Sequence, residues 1–558
     1  MSEMTNEDVN PSAISICPAG EAFPLPREED CKQEWRRLQE LVHEQCLLGR
    51  EIVVVMGVGF VGAVMAGVIA DSVNTGTGEP TKFVIAMQRP SPRSYWKIPY
   101  LNRGISPVDA EDPEVAPLIH RCVHDKKTLT ATYTYDALTL ADVVVVDVQC
   151  DYHKETLGNI RQGRADIAAL ENSLKIIGQK INPDCLVLIE TTVPPGTTEY
   201  VAYPIIKKAF EKRGLNNAEP ILAHSFERVM PGREYVASIR DFWRVCSGIN
   251  ETAHKRVKAF LSDIINVEQY PLTVLDRPME SETCKIVENA YRATILAFLH
   301  EWSVFAERNG VDLIKVIEAI KVRPTHSNII FPGPGIGGYC LPKDGGLGLW
   351  AYNTLLGFED DIFKITPLAI DINDTRAIHA TQLIRDALRN MGKIVAASKI
   401  AILGASYRED VGDTRYSGSE IIVRKLTEMG GDVVVHDPYV RHWWEFEKQD
   451  TYPATGHSLA GFFRNQDKLT DLSVHKDLAK ILIGADAVVL AVRHQAYLTL
   501  DPESVVKMTG QPAAIVDCFG ILDDAKIRRY FELGYEVKGL GRGHIKRIKD
   551  EVRGQLGS

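Results

Sequence analysis

The sequence predicts an α/β protein: doubly wound parallel sheets separated by a long helical region. Three observations carry this. A β-branched run, Ile52-Val53-Val54-Val55-Met56, leads straight into Gly57-Val58-Gly59-Phe60-Val61-Gly62 and then into a helical apolar pattern through Ile69. That is GxGxxG in the strand, turn, helix order that dinucleotide binding requires. Strand-like apolar runs then alternate with helical stretches, and the alternation returns from Lys399 onward, the rhythm of a parallel sheet covered on both faces. Between the two regions a helical pattern runs from Ser281 to about Ala319 and breaks before Pro324.

At 558 residues the chain is too long for one core, so about three domains are expected. A net charge of -10 with 25% charged and 45% hydrophobic residues argues against nucleic acid or an anionic membrane as the main partner. The ten cysteines are scattered, with no CxxC pair and no metal-ligand spacing, which fits reduced thiols in the cytoplasm and no metal. The first residues, MSEMTNEDVN, lack the basic start and apolar run of a signal peptide. No apolar stretch approaches the length of a membrane span.

Residues 1–48 read as an extension packed on the first domain, with Trp35, Leu38, Leu41 and Val42 on one face of a charged helix. Beyond it, Gly57 and Gly59 permit the turn and the close approach of a pyrophosphate, Gly62 lets helix and strand pack, and the helix opened by Phe60 and Val61 points its N-terminus at the phosphates. NAD is the expected cofactor. The second strand, Phe83 to Met87, ends in Gln88 and Arg89 with Arg93 close by, where an Asp or Glu usually holds the adenosine ribose. Gln88 can still bond a ribose hydroxyl; the arginines can equally tolerate a 2′-phosphate or be solvated loop residues. Strands at Val143 to Val148, Cys185 to Glu190 and Pro220 to Ala223 continue the sheet. The second of the turns after them carries Thr191 and Thr192 on TTVPPGTT, and the last carries Glu227, Arg228, Val229 and Met230 on FERVMPG.

The stretch Phe331 to Gly346 sets Cys340 just after Gly333, Gly335, Gly337 and Gly338, with Lys343 and Asp344 following. It reads as a nucleophile on a tight loop, or as a surface turn with a chance cysteine; a nearby cation is expected to lower the thiol's pKa.

Six motifs in order, GVGFVG, TTVPPGTT, FERVMPG, a helix with Lys285 and Asn289, GPGIGGYCLPKD and LGASYREDVGDTRYS, span about residues 49 to 540. In them the chain resembles the UDP-glucose/GDP-mannose dehydrogenase family of nucleotide-sugar 6-dehydrogenases. The resemblance implies two Rossmann-like doubly wound parallel-sheet domains joined by a long central helical region that also dimerises. The implied division is an NAD-binding domain over 49–275, a central helical dimerisation domain with the cysteine loop over 276–395, a nucleotide-sugar domain over 396–545 and a tail over 546–558. It further implies a homodimer or higher homo-oligomer that oxidises a UDP-sugar's primary alcohol to the uronate in two steps with NAD, in polysaccharide biosynthesis.

By the same resemblance Cys340 is the nucleophile, Lys285 stabilises the oxyanion with Asn289 on the same helix face, and Glu227 is the general base with Thr192 and Asp344 positioning water. The cofactor residues are Gly57, Gly59, Phe60, Val61, Gly62, Gln88, Arg89, Val148, Thr191, Thr192, Lys343 and Arg415. Sugar contacts fall to Glu227, Arg228, Val229, Met230, Lys285, Asn289, Arg323, His326, Phe331, Gly335, Tyr339, Tyr407 and Arg408. ERVMPG is closer to the branch acting on 2-acetamido sugars than to the glucose branch, so UDP-N-acetylmannosamine or UDP-N-acetylglucosamine is the expected substrate and UDP-glucose the alternative. An arginine beside the base offers a fork of donors for a diphosphate or an amide oxygen, or is a structural salt-bridge residue.

Several features depart from the family. Phe226 stands where proline is usual, Phe519 replaces an arginine beside the nucleotide, and Tyr439 to about Asp477 is long, with Trp443, Trp444 and Phe446 suiting a lid, a contact surface or a partly packed loop. The tail from Gly543 carries alternating charges and reads as solvated. A catalytically altered member that binds a nucleotide sugar, or that stops at another oxidation state, is a second reading, opposed by retention of Cys340, Lys285, Asn289, Glu227 and Asp344 together. A plain hydroxyacid dehydrogenase leaves the cysteine loop unexplained.

Overall fold

The computed structural model describes residues 14–230, 232–446 and 459–556. An eight-stranded sheet has the spatial order β8-β7-β6-β5-β4-β1-β2-β3. In chain order these are β1 (Glu51–Met56), β2 (Lys82–Met87), β3 (Leu129–Thr132), β4 (Val143–Val146), β5 (Leu186–Ile189), β6 (Ile221–Phe226), β7 (Val245–Gly248) and β8 (Thr273–Val274). The β-branched runs are buried on both faces, as central parallel strands require. Neighbours are parallel except β6 with β7, where Ala223 stands opposite Gly248; an antiparallel neighbour needs no crossover. The strand order reverses between β1 and β4, the position at which doubly wound sheets take a dinucleotide. β6 runs to Phe226, so Glu227 is the first residue past its end.

A second sheet, all parallel, has the order β11-β10-β9-β12-β13-β14. Its strands are β9 (Lys399–Leu403), β10 (Asp432–His436), β11 (Val474–His475), β12 (Ala487–Leu490), β13 (Ala514–Asp517) and β14 (Glu536–Gly539). Its own reversal lies between β9 and β12.

Two long helices join the sheets. The helix opened at the glycine motif is α1 (Phe60–Asp71); the first long one is α2 (Pro278–Asn309), and a short α3 (Asp344–Trp350) precedes the second long one, α4 (Ile365–Asn390). The expected continuous helix to Ala319 is interrupted: Gly310, at φ +72°, caps α2, and a separate helix spans Leu313–Lys321. α4 had no counterpart in the sequence reading. It packs along α2 through Asn373 Nδ2 to the Ala293 carbonyl at 2.8 Å and His379 to Glu307 at 2.7 Å.

The structure corrects one reading and selects the packed loop among the alternatives of another. The tail is not a solvated strand of charges: Ile545–Leu556 is a helix, and Ile545, Ile548 and Val552 enter the core against the second sheet. Their i, i+3, i+7 spacing is hidden among lysines and arginines that occupy the outer face. The described part of the Tyr439–Asp477 segment is not a lid. Trp443 and Phe446 are buried in edge-to-face contact at 4.6 Å beside Leu459 and Leu469 in the same core; residues 447–458 lie outside the described residues.

Candidate active site

The cysteine loop is shaped by what lies against its glycines. A Cβ on Gly333 (φ +57°) would fall 2.2 Å from the Phe519 ring, and one on Gly337 would fall 2.3 Å from Tyr407 Cβ. Arg376, fully buried on α4, donates to the Gly333 carbonyl and to His300. The Cys340 carbonyl accepts from Lys343 N at 3.1 Å and Asp344 N at 2.9 Å, which starts α3. Tyr339 is held by its hydroxyl on the Cys150 carbonyl at 2.8 Å and on Asp151 at 2.5 Å.

Cys340 is half-buried, and its charged surroundings come from three elements. Lys285 and Asn289 lie on the buried face of α2, one turn apart. Asn289 Nδ2 donates to Asp344 Oδ2 at 2.7 Å, and Lys343 Nζ donates to Asp344 Oδ1 at 3.0 Å, all of it buried. Lys285 Nζ donates to the Glu227 carbonyl at 2.8 Å and lies over the Phe226 ring at 5.3 Å. Burial opposes the charge on Lys285, but Glu227, Cys340 and Asp344 hold its pKa above the usual value. The thiol behaves contrary to the sequence expectation: burial first, then Asp344, push Cys340 up to about 11, against the pull of Lys285 and Lys343. The cations are present; their carboxylate partners cancel much of their field.

Glu227 Oε2 accepts from Val229 N at 2.5 Å, which turns the chain after β6. Arg228 does not offer a free fork. Its Nε and Nη2 donate to Glu288 at 3.0 and 2.9 Å, and its Nη1 donates to the Trp243 carbonyl at 2.7 Å. In this structure it is the salt-bridge residue of the two readings. Val229 packs on the first core and Met230 is exposed. Thr192 is buried and Thr191 half-buried at the end of β5.

At the glycine turn, Gly57 has φ +112° and its Cβ would meet the Asp147 carbonyl at 2.5 Å; a Cβ on Gly62 would fall 1.9 Å from the Gly57 carbonyl. Gly59 has nothing within 4 Å of its Cβ position, and α1 starts there with no side-chain cap. Gln88 Oε1 accepts from Val58 N at 2.8 Å. Arg89 is exposed, and Val148 packs with the β4–β5 core. Arg415, clamped by Asp413 through Nε at 2.9 Å, reaches from the second sheet to the first: it lies over Phe60 at 5.2 Å and over Tyr339 at 5.5 Å.

At the reversal of the second sheet Gly335, Ser406, Tyr407, Ser419, Val492 and Phe519 close around a shallow dent too tight for a water molecule. Arg408 is half-buried next to Tyr407. Three more residues expected at the sugar make no side-chain hydrogen bond to the cysteine cluster among the described residues. Phe331 packs under Arg376 and against Gly541. Arg323 is exposed, and the His326 ring is hydrogen-bonded to Thr325 Oγ1 at 2.8 Å, on a turn closed by His326 N donating to the Arg323 carbonyl at 2.8 Å.

Three family models match in order: the NAD binding domain of the UDP-glucose/GDP-mannose dehydrogenase family over 51–264, its central domain over 279–375 and its UDP binding domain over 401–524. The chain belongs to the UDP-glucose/GDP-mannose dehydrogenase family. As a member it is an NAD-dependent oxidoreductase of nucleotide sugars. It is similar to UDP-N-acetyl-D-mannosamine dehydrogenase of Pyrococcus horikoshii, 27% identical over 68% of this chain and 78% of the relative, and to that of Yersinia pestis, 26% identical over 61% and 75%. Among solved structures, NDP-N-acetyl-D-galactosaminuronic acid dehydrogenase from Methanosarcina mazei matches with a TM-score of 0.70 and 28% identity, covering 91% of this chain and 98% of the other. The UDP-D-ManNAc dehydrogenase structure from Pyrococcus horikoshii shares the fold, with a TM-score of 0.70 at 24% identity over 88% and 100%.

The glycine turn fits this family's dinucleotide: Gly59 leaves open the space that a pyrophosphate fills, before uncapped N–H groups of α1. Sequence reasoning missed two supporting groups. Glu282, one turn before Lys285, accepts from Gly196 N at 2.6 Å and Thr198 N at 2.8 Å; burial raises it to about 7. It fixes the turn that carries Thr191 and Thr192. Asp147 ends the β4 run, and burial, Glu190 and Glu227 hold it well above the carboxylate range while Arg244 pairs with Glu190. The signal for it was a charge directly after four valines.

Proposed function

We propose that the chain oxidises the C6 alcohol of a UDP-2-acetamido-2-deoxyhexose to the uronate through a covalent cysteine intermediate. The observation that carries this reading is the convergence of Lys285, Asn289, Asp344, Glu227 and Lys343 on Cys340, between the two sheet reversals. When bound, the nicotinamide accepts a hydride in each of two oxidation steps. In the first, the alcohol would lose its C6 hydride to the bound nicotinamide and its hydroxyl proton to solvent by way of Glu227, while Lys285 holds the oxygen. The Cys340 thiolate then adds to the aldehyde carbon, forming a C–S bond and a thiohemiacetal whose oxyanion faces Lys285 and Asn289. Loss of the second hydride leaves a thioester. Water, deprotonated by Glu227 and oriented by Thr192 and Asp344, breaks the C–S bond, releases the uronate and returns the thiol.

The acetamido preference is supported by the relatives' names and by the ERVMPG turn. Arg228 itself adds nothing to it, since its fork is committed to Glu288 and the Trp243 carbonyl. Initial rates with UDP-glucose, UDP-N-acetylglucosamine and UDP-N-acetylmannosamine under one set of conditions test it. Turnover of UDP-glucose at least as efficient as both acetamido sugars overturns the branch and leaves the dehydrogenase assignment standing.

The division at 49–275, 276–395 and 396–545 belongs to the same reading, as does a homodimer through the central helices. Val287, Tyr291, Phe298, Trp302 and Phe305 form an exposed apolar stripe along α2, the pattern of a helix that meets a partner. The ten cysteines stand as free thiols, the state a reducing cytoplasm maintains. Among the described residues, no helix is long and apolar enough to cross a membrane.

A further inference from the structure

The end of β2 decides which adenosine ribose a doubly wound site accepts. A carboxylate there takes the ribose hydroxyls and repels a 2′-phosphate; a cation there welcomes it. Here the position is Gln88, a neutral amide already in use: its Oε1 accepts from Val58 N at 2.8 Å and its Nε2 donates to Ser94 Oγ at 3.3 Å. The loop that follows is closed on itself, with the Ser91 and Ser94 hydroxyls 2.7 Å apart and Ser94 Oγ donating to the Arg89 carbonyl at 3.2 Å. This closure presents Arg89 and Arg93 at the loop's two ends, both exposed and neither in an ion pair among the described residues.

A third cation stands behind them. Lys97 Nζ donates to the Val58 carbonyl at 2.8 Å, so Val58, the middle residue of the glycine turn, is gripped at its N–H by Gln88 and at its C=O by Lys97. Lys97 has no carboxylate partner among the described residues, and burial lowers it to about 8. A nearby phosphate dianion relieves that cost. Carboxylates on the neighbouring elements are committed elsewhere: Glu34 to Arg37 and to Thr132 Oγ1, each at 2.7 Å, and Asp136 to Lys180 at 2.6 Å.

The segment bearing these cations is anchored by the N-terminal extension, which precedes the family-model match. Trp96 N donates to Ser15 Oγ at 3.1 Å, and Trp96 is buried with Cys17 and Phe23. Tyr100 meets Phe23 edge-to-face at 5.9 Å and shares a hydrogen bond with Cys17 Sγ at 2.9 Å. The backbone that carries Arg93 and Lys97 is therefore set by packed structure, with the Arg93 carbonyl accepting from Trp96 Nε1 at 3.2 Å.

We infer that the adenosine end of this cofactor site accepts a 2′-phosphate, so that the protein binds NADP as well as NAD, with Arg89, Arg93 and Lys97 around the phosphate. The inference rests on the NAD-binding reading of the glycine turn. It also gives the extension a role, as the brace of the ribose subsite.

Isothermal titration of the full-length protein with NAD and with NADP, in the same low-salt buffer, tests it without turnover. The expected result is an NADP Kd within about tenfold of that for NAD. The double substitution Arg89→Ala/Arg93→Ala is expected to weaken NADP at least about tenfold more than NAD. Gln88→Glu keeps the acceptor for Val58 N and adds the repelling charge, and it is expected to shift the ratio the same way. NAD binding with NADP more than about tenfold weaker in the unaltered protein overturns the inference alone. Equal weakening of both cofactors by the arginine pair also overturns it. Binding of neither cofactor overturns the cofactor assignment and the inference together.

Discussion

Gly333 and Phe519 occupy one space: the Phe519 ring sits where a side chain on Gly333 would be, 2.2 Å from its Cβ position. Phe519 follows β13 in the second sheet, and Gly333 opens the cysteine loop. The ring therefore registers the nucleotide side of the cleft against the nucleophile's loop.

Gly333→Ala should lower the apparent Tm and raise KM for the nucleotide sugar, because the site combines that overlap with φ +57°. The backbone strain alone costs about 1–2 kcal/mol. Gly333→Ala with Phe519→Ala should recover part of the loss, leaving the backbone share. Thermal melts and sugar KM values for the two single variants and the double check this; simple additivity counts against the shared space.

Cys340→Ser should abolish uronate formation, with a loss of turnover of at least about 10³-fold, while nucleotide-sugar binding persists. Cys150→Ser and Cys246→Ser should cost far less: both thiols are fully buried, Cys150 within the field of Lys343 and Asp344 but closed to a substrate. Product analysis beside calorimetric binding is the measurement. A serine variant that makes acid at the unaltered rate removes the covalent mechanism.

The thiol's behaviour with pH follows from its pKa, raised to about 11 chiefly by burial and by Asp344. Below that value the thiolate is the minor form, so its alkylation rate should rise about tenfold per pH unit from 7 toward 10. Asp344→Asn removes an anion and should speed alkylation at fixed pH, and Lys285→Met should slow it. The same shift bears on stability. The folded thiol holds its proton above the ordinary value of 9.0, so its stabilising share is full below pH about 9 and is lost as pH rises toward 11. Iodoacetamide kinetics across pH read the thiolate directly.

Arg228→Ala should act on folding more than on sugar choice. The bridge to Glu288 is partly exposed, so the loss is modest, about 1 kcal/mol with the Phe226 ring contact included. Denaturant midpoints should fall, while the ratio of rates for acetamido sugars and UDP-glucose should move less than about threefold. A large change in that ratio returns Arg228 to the substrate.

Phe298→Asp with Trp302→Asp places two charges on the exposed stripe of α2 and should shift the protein to monomer in light scattering. An unchanged mass places the interface elsewhere.

The sequence alone determined the pieces whose chemistry is local. The β-branched run and GVGFVG announced a phosphate-binding turn, because strand burial, glycine geometry and helix onset all lie within twenty neighbouring residues. The order of six motifs carried the family, and Cys340, Lys285, Asn289 and Asp344 were visible as types in context. The tertiary structure alone decided properties that depend on what arrives from far along the chain. Lys285 and Lys343 pointed to an acidic thiol, yet Asp344, Glu227 and burial make it a reluctant one. Arg228 looked like a free fork until Glu288, sixty residues away on α2, closed it. The charged tail hid Ile545, Ile548 and Val552, whose face is apolar only once wound into a helix. Residues 1–48 carried no motif at all, and the bracing of Trp96 and Tyr100 by Ser15, Cys17 and Phe23 is a matter of packing. Local propensity and motif spacing are written in neighbouring residues; fields and burial are sums over a folded surround, which no short window contains.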